Sequence, residues 1–162
     1  MSSRDPAHLD ASTRERFQLL EARYRRLGRP LRIDVTCTYR GQREQRAAFA
    51  RGASMLRAGL SFHNVRDAAT NAPRAYAVDF LLRDDVAGCY LMGKTQADAA
   101  EYQVVGVIAE GLGFRWGGRW KQPVDLGHVE APISMEAAWR GEMPAWPEIE
   151  EELRPRTGLR RR

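Results

Sequence analysis

Two periodicities divide this chain. Residues 12–27 set Phe17, Leu19, Leu20, Ala22 and Tyr24 among charges, which predicts an amphipathic helix stopped by Gly28 and Pro30. Leu31 to Tyr39 alternates apolar and polar positions with β-branched residues, which predicts a strand. Helical spacing returns from Gln42 to about Leu56, with Ala47, Ala48 and Phe49 as core contacts. From Gly59 to Pro73 periodicity is lost and a loop is expected. Arg74 to Leu82 reads as an apolar strand, and a short strand near Cys89–Leu91 comes after a turn at Asp84-Asp85 and Gly88. Thr95 to Leu112 predicts a helix with Tyr102, Val105, Ile108 and Ala109 on one face, Thr95 as its cap and Gly113 as its stop. Residues 114–120 read as a turn or short strand, Gly127–Glu130 as a short strand, and 132–140 as a last helix.

Helices and short strands in this mixed order predict an α+β fold, a small antiparallel sheet with helices packed on it. A chain of 162 residues is long enough for one domain with its own core. Residues 1–140 are expected to form that domain. Residues 141–162, with prolines, acid pairs and terminal arginines, are expected to form a loose tail. Trp139 and Trp146 read as docking residues.

Composition narrows the class. A hydrophobic content of 43% with 29% charged residues describes an ordinary globular protein. The absence of a long apolar run predicts no membrane span. Met1–Asp10 does not read as a secretory signal, so synthesis in a cytoplasm is expected, with release by another agent before any action outside. The net charge of +5 is carried almost wholly by arginine, since Lys94 and Lys121 are the only lysines. Spread along the chain, that charge describes a solvated surface attracted to polyanions, and no specific nucleic-acid site is expected. Cys37 and Cys89 lie in or near expected strands and read as buried, reduced thiols, with one disulfide the less favoured alternative; a cysteine-held zinc is not expected.

The chemistry lies elsewhere. His63 sits in the long loop, Asp79 ends an apolar run, and His128 lies three residues after Asp125. Two histidines and an aspartate are a donor set for zinc that leaves a coordination position open. Each residue alone also has a plainer reading. His63 fits a polar loop residue, Asp79 fits an arginine ion pair, and His128 fits a solvent-facing strand residue.

Five segments, taken together in order, add to this. Thr38-Tyr39-Arg40 is followed by Glu44-Gln45; then come Ser61-Phe62-His63-Asn64 and Ala75-Tyr76-Ala77-Val78-Asp79-Phe80; then Trp116-Gly117-Gly118-Arg119-Trp120 and Asp125-Leu126-Gly127-His128-Val129-Glu130. Between residues 34 and 130 the chain thereby resembles the zinc peptidases that cut bacterial cell-wall peptides, the D-alanyl-D-alanine carboxypeptidases and the phage endolysins of the L-alanyl-D-glutamate type. The resemblance implies the fold shared by the D-alanyl-D-alanine peptidases and hedgehog domains. It implies Zn²⁺ held by His63, Asp79 and His128, with Asp125 as general base and proton donor and Arg40 stabilising an oxyanion or holding substrate. It implies peptidoglycan stem peptides as partners and a phage or prophage endolysin as the setting. Glu130 would either support a ligand histidine or face solvent. Val65–Pro73 reads as an insertion between His63 and Asp79 that must loop out, with Asp67 as a spare ligand candidate. A module of the same fold that binds wall peptides or a protein without cutting is the second reading. The bond cut and the oligomeric state are not specified by the sequence.

Overall fold

The structure is a computed structural model, and residues 2–149 are described. In chain order they form β1 (Ser2–Ser3), α1 (Ala11–Arg26), β2 (Leu31–Cys37), β3 (Tyr39–Arg40), α2 (Gln42–Ala50), β4 (Ala77–Asp84), β5 (Cys89–Leu91), α3 (Gln96–Gly111), β6 (Arg115–Trp116), β7 (His128–Glu130) and α4 (Met135–Trp139). The α+β expectation holds: a five-stranded antiparallel sheet runs β2-β4-β7-β6, with β5 also on β4, and β1 pairs with β3 beside it. No helix among the described residues is long and apolar enough to cross a membrane.

Local chemistry sets the element ends. The Asp10 carboxylate accepts from the amides of Ser12 and Thr13 at the start of α1, and Thr95 accepts from Asp98 at the start of α3. Such caps contribute about 1 kcal/mol each. Helix α2 is shorter than its apolar spacing predicts. It ends at Ala50, and Gly52 turns the chain with φ of 72°. The sheet's middle strand begins at Ala77, later than the apolar run, because Ala75 and Tyr76 hydrogen-bond to His8 and Phe62 instead.

The two faces of the sheet differ. Val78, Phe80 and Leu82 of β4 point into a core made with Phe17, Leu20 and Tyr24 of α1 and Tyr102, Val105 and Ala109 of α3. Burying each such side chain contributes roughly 1.5–3 kcal/mol. Asp79, between Val78 and Phe80, points to the opposite face because strand side chains alternate. A second cluster, Val65, Tyr76, Ala131, Ile133 and Ala138, packs with Phe62 and Trp139 and anchors the turn at residues 62–64 to the sheet's end.

The described part of the expected tail, 141–149, carries Trp146. Its ring packs against Phe114, with centroids 4.9 Å apart, and its Nε1 donates to Ser12 Oγ at 2.9 Å. The rest of that tail lies outside the described residues. One thiol departs from expectation: Cys37 is buried, but Cys89 is exposed, because β5 is a short edge strand with few neighbours above it.

Candidate metal and active site

The polar face of the sheet carries a row of cross-strand partners. Asp79 of β4 lies opposite His128 of β7 on one side and Cys37 of β2 on the other. His63 reaches the same place from the one-turn 3₁₀ helix Phe62–Asn64. The segment around it is tied down residue by residue. Ser61 Oγ accepts from the His63 amide, the Asn64 side-chain amide donates to the Arg40 carbonyl at 2.7 Å, and Trp139 Nε1 donates to the Gly59 carbonyl.

The long spacing between His63 and Asp79 is absorbed by a closed loop. Arg66 and Pro73 form an antiparallel bridge, and the Arg74 amide donates to the Val65 carbonyl at 2.9 Å. Asp67 spends its carboxylate inside that loop, accepting from the amides of Ala69 and Thr70 and pairing with Arg74. It therefore stands apart from the ligand candidates, and the loop's two feet return the chain to β4 in register.

Asp79 is the hub. Its Oδ1 lies 3.1 Å from His63 Nε2 and 2.7 Å from His128 Nδ1, and its Oδ2 lies 3.3 Å from Arg40 Nη2. Both rings are oriented from behind. His63 Nδ1 lies 2.8 Å from the Thr38 carbonyl, which can only accept, so that nitrogen carries a proton. His128 Nε2 faces Glu130 Oε2 at 3.3 Å, and Glu130 is itself paired with Arg115. Glu130 thus supports a ligand-candidate histidine. The nitrogens left to meet a metal are His63 Nε2 and His128 Nδ1, both turned toward the Asp79 carboxylate. An outer carbonyl or carboxylate fixing the second ring nitrogen is the arrangement that metal-binding histidines use.

The electrostatics come from this packing. Burial disfavours charge on His63 and His128, but the Asp79 carboxylate outweighs it, raising His63 to about 10 and His128 to about 9. Burial would push the Asp79 carboxyl up; the two rings outweigh it and hold it well below the usual carboxylate range. Asp125 is shifted upward by loss of water around its carboxyl and by the Asp79 charge, with His128 opposing. For Cys37, burial opposes ionisation, but the neighbouring His63 more than offsets it and lowers the thiol.

Asp125 joins the group: ligand atoms of Asp79, Asp125 and His128 all lie within 4.8 Å of one another. Its position depends on glycine. A Cβ at Gly117 would stand 2.5 Å from the Asp125 carbonyl oxygen, and one at Gly127 would stand 2.3 Å from that of Phe80. Trp116 Nε1 donates to the Leu126 carbonyl, and the Trp120 ring lies 4.9 Å from His128. The five residues expected at the site, Arg40, His63, Asp79, Asp125 and His128, line one cleft of about 640 Å³. Its far wall is the 52–60 segment, with Met55, Leu56 and Leu60 exposed. Gln45 links that wall to the polar side, accepting from Arg40 and donating to Ser54 Oγ and the Leu56 carbonyl.

Sequence reasoning misses two members of this surrounding. Gln45 shows there only as a motif position, without its bracing role. Cys37 reads as a core residue, because the alternation Ile33, Val35, Cys37 puts it on that side.

A family described as D-alanyl-D-alanine carboxypeptidase matches residues 57–131, a span that includes His63, Asp79, Asp125 and His128 but not Arg40. Among solved structures, the chain is similar to ChiX, an L-Ala D-Glu endopeptidase of Serratia marcescens. The two share 19% identity at a TM-score of 0.57, over 86% of this chain and 92% of that one. No curated protein matches the chain. The chain thus resembles the cell-wall peptidases in sequence and shares their fold.

Proposed function

We propose that this protein is a zinc-dependent peptidase of bacterial cell-wall peptides, cutting an L-Ala–D-Glu or D-Ala–D-Ala type bond in peptidoglycan stem peptides. One observation carries the reading: His63 Nε2 and His128 Nδ1 both turn toward Asp79 Oδ1, while each ring's second nitrogen faces an oxygen acceptor. The donor set fits zinc, with two imidazole nitrogens and one carboxylate, an open side toward the cleft and supporting partners behind. When bound, zinc supplies Lewis acidity and lowers the pKa of water at the site to about 7.

The chain's own residues do the rest. Asp125, poised above the ordinary aspartate range, takes a proton from the attacking water as its oxygen adds to the scissile carbonyl carbon. It returns that proton to the departing amine nitrogen as the C–N bond breaks. Arg40 presents a guanidinium to the cleft and favours negative charge developing there, whether on the carbonyl oxygen or on a substrate carboxylate. Trp120 with the apolar side chains of Met55, Leu56 and Leu60 limits water beside the bond.

The resemblance to enzymes that include phage lysins supports an endolysin role as the setting, with the 1–140 segment as the catalytic unit. Synthetic stem peptides carrying one susceptible bond each separate the two specificities. Cleavage of either, seen as a new amino terminus by mass spectrometry, supports the reading and names the bond. Cleavage of neither by zinc-loaded protein removes it.

A further inference from the structure

Strand β2 carries a bulge at the site. Val35 pairs with Phe80, but Cys37, not Thr36, pairs with Asp79. One extra residue in a strand switches the faces of the residues after it. Val35 therefore shares the core side with Phe80, whereas Cys37 is re-aimed to the face of Asp79 and His128. Its thiol is 4% exposed, and a Cys37 Sγ, a His63 nitrogen and an Asp79 oxygen all lie within 4.8 Å of one another. The sulfur's hydrogen-bond contacts are long, 3.7 Å to Ser2 Oγ and 3.8 Å to the Tyr39 carbonyl. Nothing strong holds it away from an ion.

We propose that Cys37 is a thiolate ligand at this site, joining its neighbours His63 and Asp79, with His128 approaching from the other side of Asp79, around a thiophilic divalent ion. This rests on the metal-site reading above and extends it. Ligation is a simple exchange: the thiol proton leaves to solvent as the sulfur–metal bond forms. Imidazole and thiolate together favour Zn²⁺, Co²⁺ or Cd²⁺ over Mg²⁺, Ca²⁺ or Mn²⁺, which prefer oxygen. A fourth protein ligand also closes the position that hydrolysis needs for water. Cys37 ligation and turnover therefore compete, and the bulge gives the site a resting, closed form. Asp79 serves both forms, since it groups with Cys37 and His63 and equally with Asp125 and His128.

Cobalt titration of the reduced full chain tests this. Wild type and Cys89→Ser should show a near-ultraviolet thiolate-to-cobalt charge-transfer band. Cys37→Ser should lose that band while keeping the visible bands of bound cobalt. Cobalt bound by wild type without the charge-transfer band, or a band that survives Cys37→Ser, overturns the proposal and leaves the His–Asp–His site standing. Failure of wild type to bind cobalt at all overturns both. Should Cys37→Ser not fold, X-ray absorption on zinc-loaded wild type decides independently. A sulfur neighbour at about 2.3 Å supports the ligand, and only nitrogen and oxygen neighbours refute it.

Discussion

Asp79 and His128 face each other across two antiparallel strands, with Asp79 Oδ1 2.7 Å from His128 Nδ1. That single register brings a carboxylate and an imidazole together from residues 49 apart in the chain. His63 is then delivered to the same oxygen by a turn anchored through hydrogen bonds to the Thr38 and Arg40 carbonyls and from the Tyr76 amide.

Asp125→Asn keeps the size of the side chain and removes the base. Hydrolysis should fall by about 10²–10⁴-fold, with metal content unchanged. Metal analysis beside steady-state kinetics checks this; loss of the ion would make Asp125 a ligand.

His63→Ala and Arg40→Ala should separate holding from catalysis. The first should lose both ion and activity. The second should keep the ion and lose turnover by about 10²–10³-fold, the scale of one removed charge-stabilising donor. A zinc-replete His63→Ala protein would move the ligand elsewhere.

Proton linkage gives a third expectation. Both rings are raised above the ordinary 6.5, to about 10 for His63 and about 9 for His128. Without metal, their ion pairs with Asp79 stabilise the fold fully below pH 6.5, and that stability is lost as pH rises through 9 to 10. An ion must displace the same protons, so its affinity rises with pH over that range, with about two protons released per ion near pH 7 from the rings and one more when Cys37 ligates. Calorimetry in buffers of different ionisation enthalpy counts them. Zero protons released would mean the rings are neutral before binding.

The loop between the ligands should be dispensable. Arg66 and Pro73 already pair as antiparallel partners, so replacing residues 67–72 with Asn-Gly suits a tight hairpin. A stability change of about 1 kcal/mol or less is expected, with metal binding intact. Gly127→Ala is the contrasting change: its Cβ meets the Phe80 carbonyl at 2.3 Å, so β7 must shift and metal affinity should fall. Thermal melts and metal titration of both variants compare them.

Much of this site is legible in the sequence because strand alternation and motif order speak for it. Asp79 stands out as a carboxylate between the core residues Val78 and Phe80, and the resemblance marks His128, which the register then sets beside it. The sequence overextends helix α2 because apolar residues continue to Leu56, whereas Gly52 turns the chain and leaves Met55 and Leu56 exposed; of the core contacts expected within α2, only Ala48 is buried, and Ala47 and Phe49 face solvent. Cys37 is hidden for a different reason. A bulge is a property of two paired strands, and the β2 sequence alone continues its alternation through it. The loop's hairpin closure likewise depends on Asp67 bonding within its own loop, which spacing does not reveal.

That this protein cleaves wall peptides at a metal-holding site is tested most directly by metal content of the purified protein together with digestion of isolated peptidoglycan before and after chelation. About one zinc per chain, and new amino termini that vanish with chelator and return with zinc, is the predicted result. Protein that stays metal-free in zinc-containing buffer, or cleavage indifferent to chelation, would contradict it.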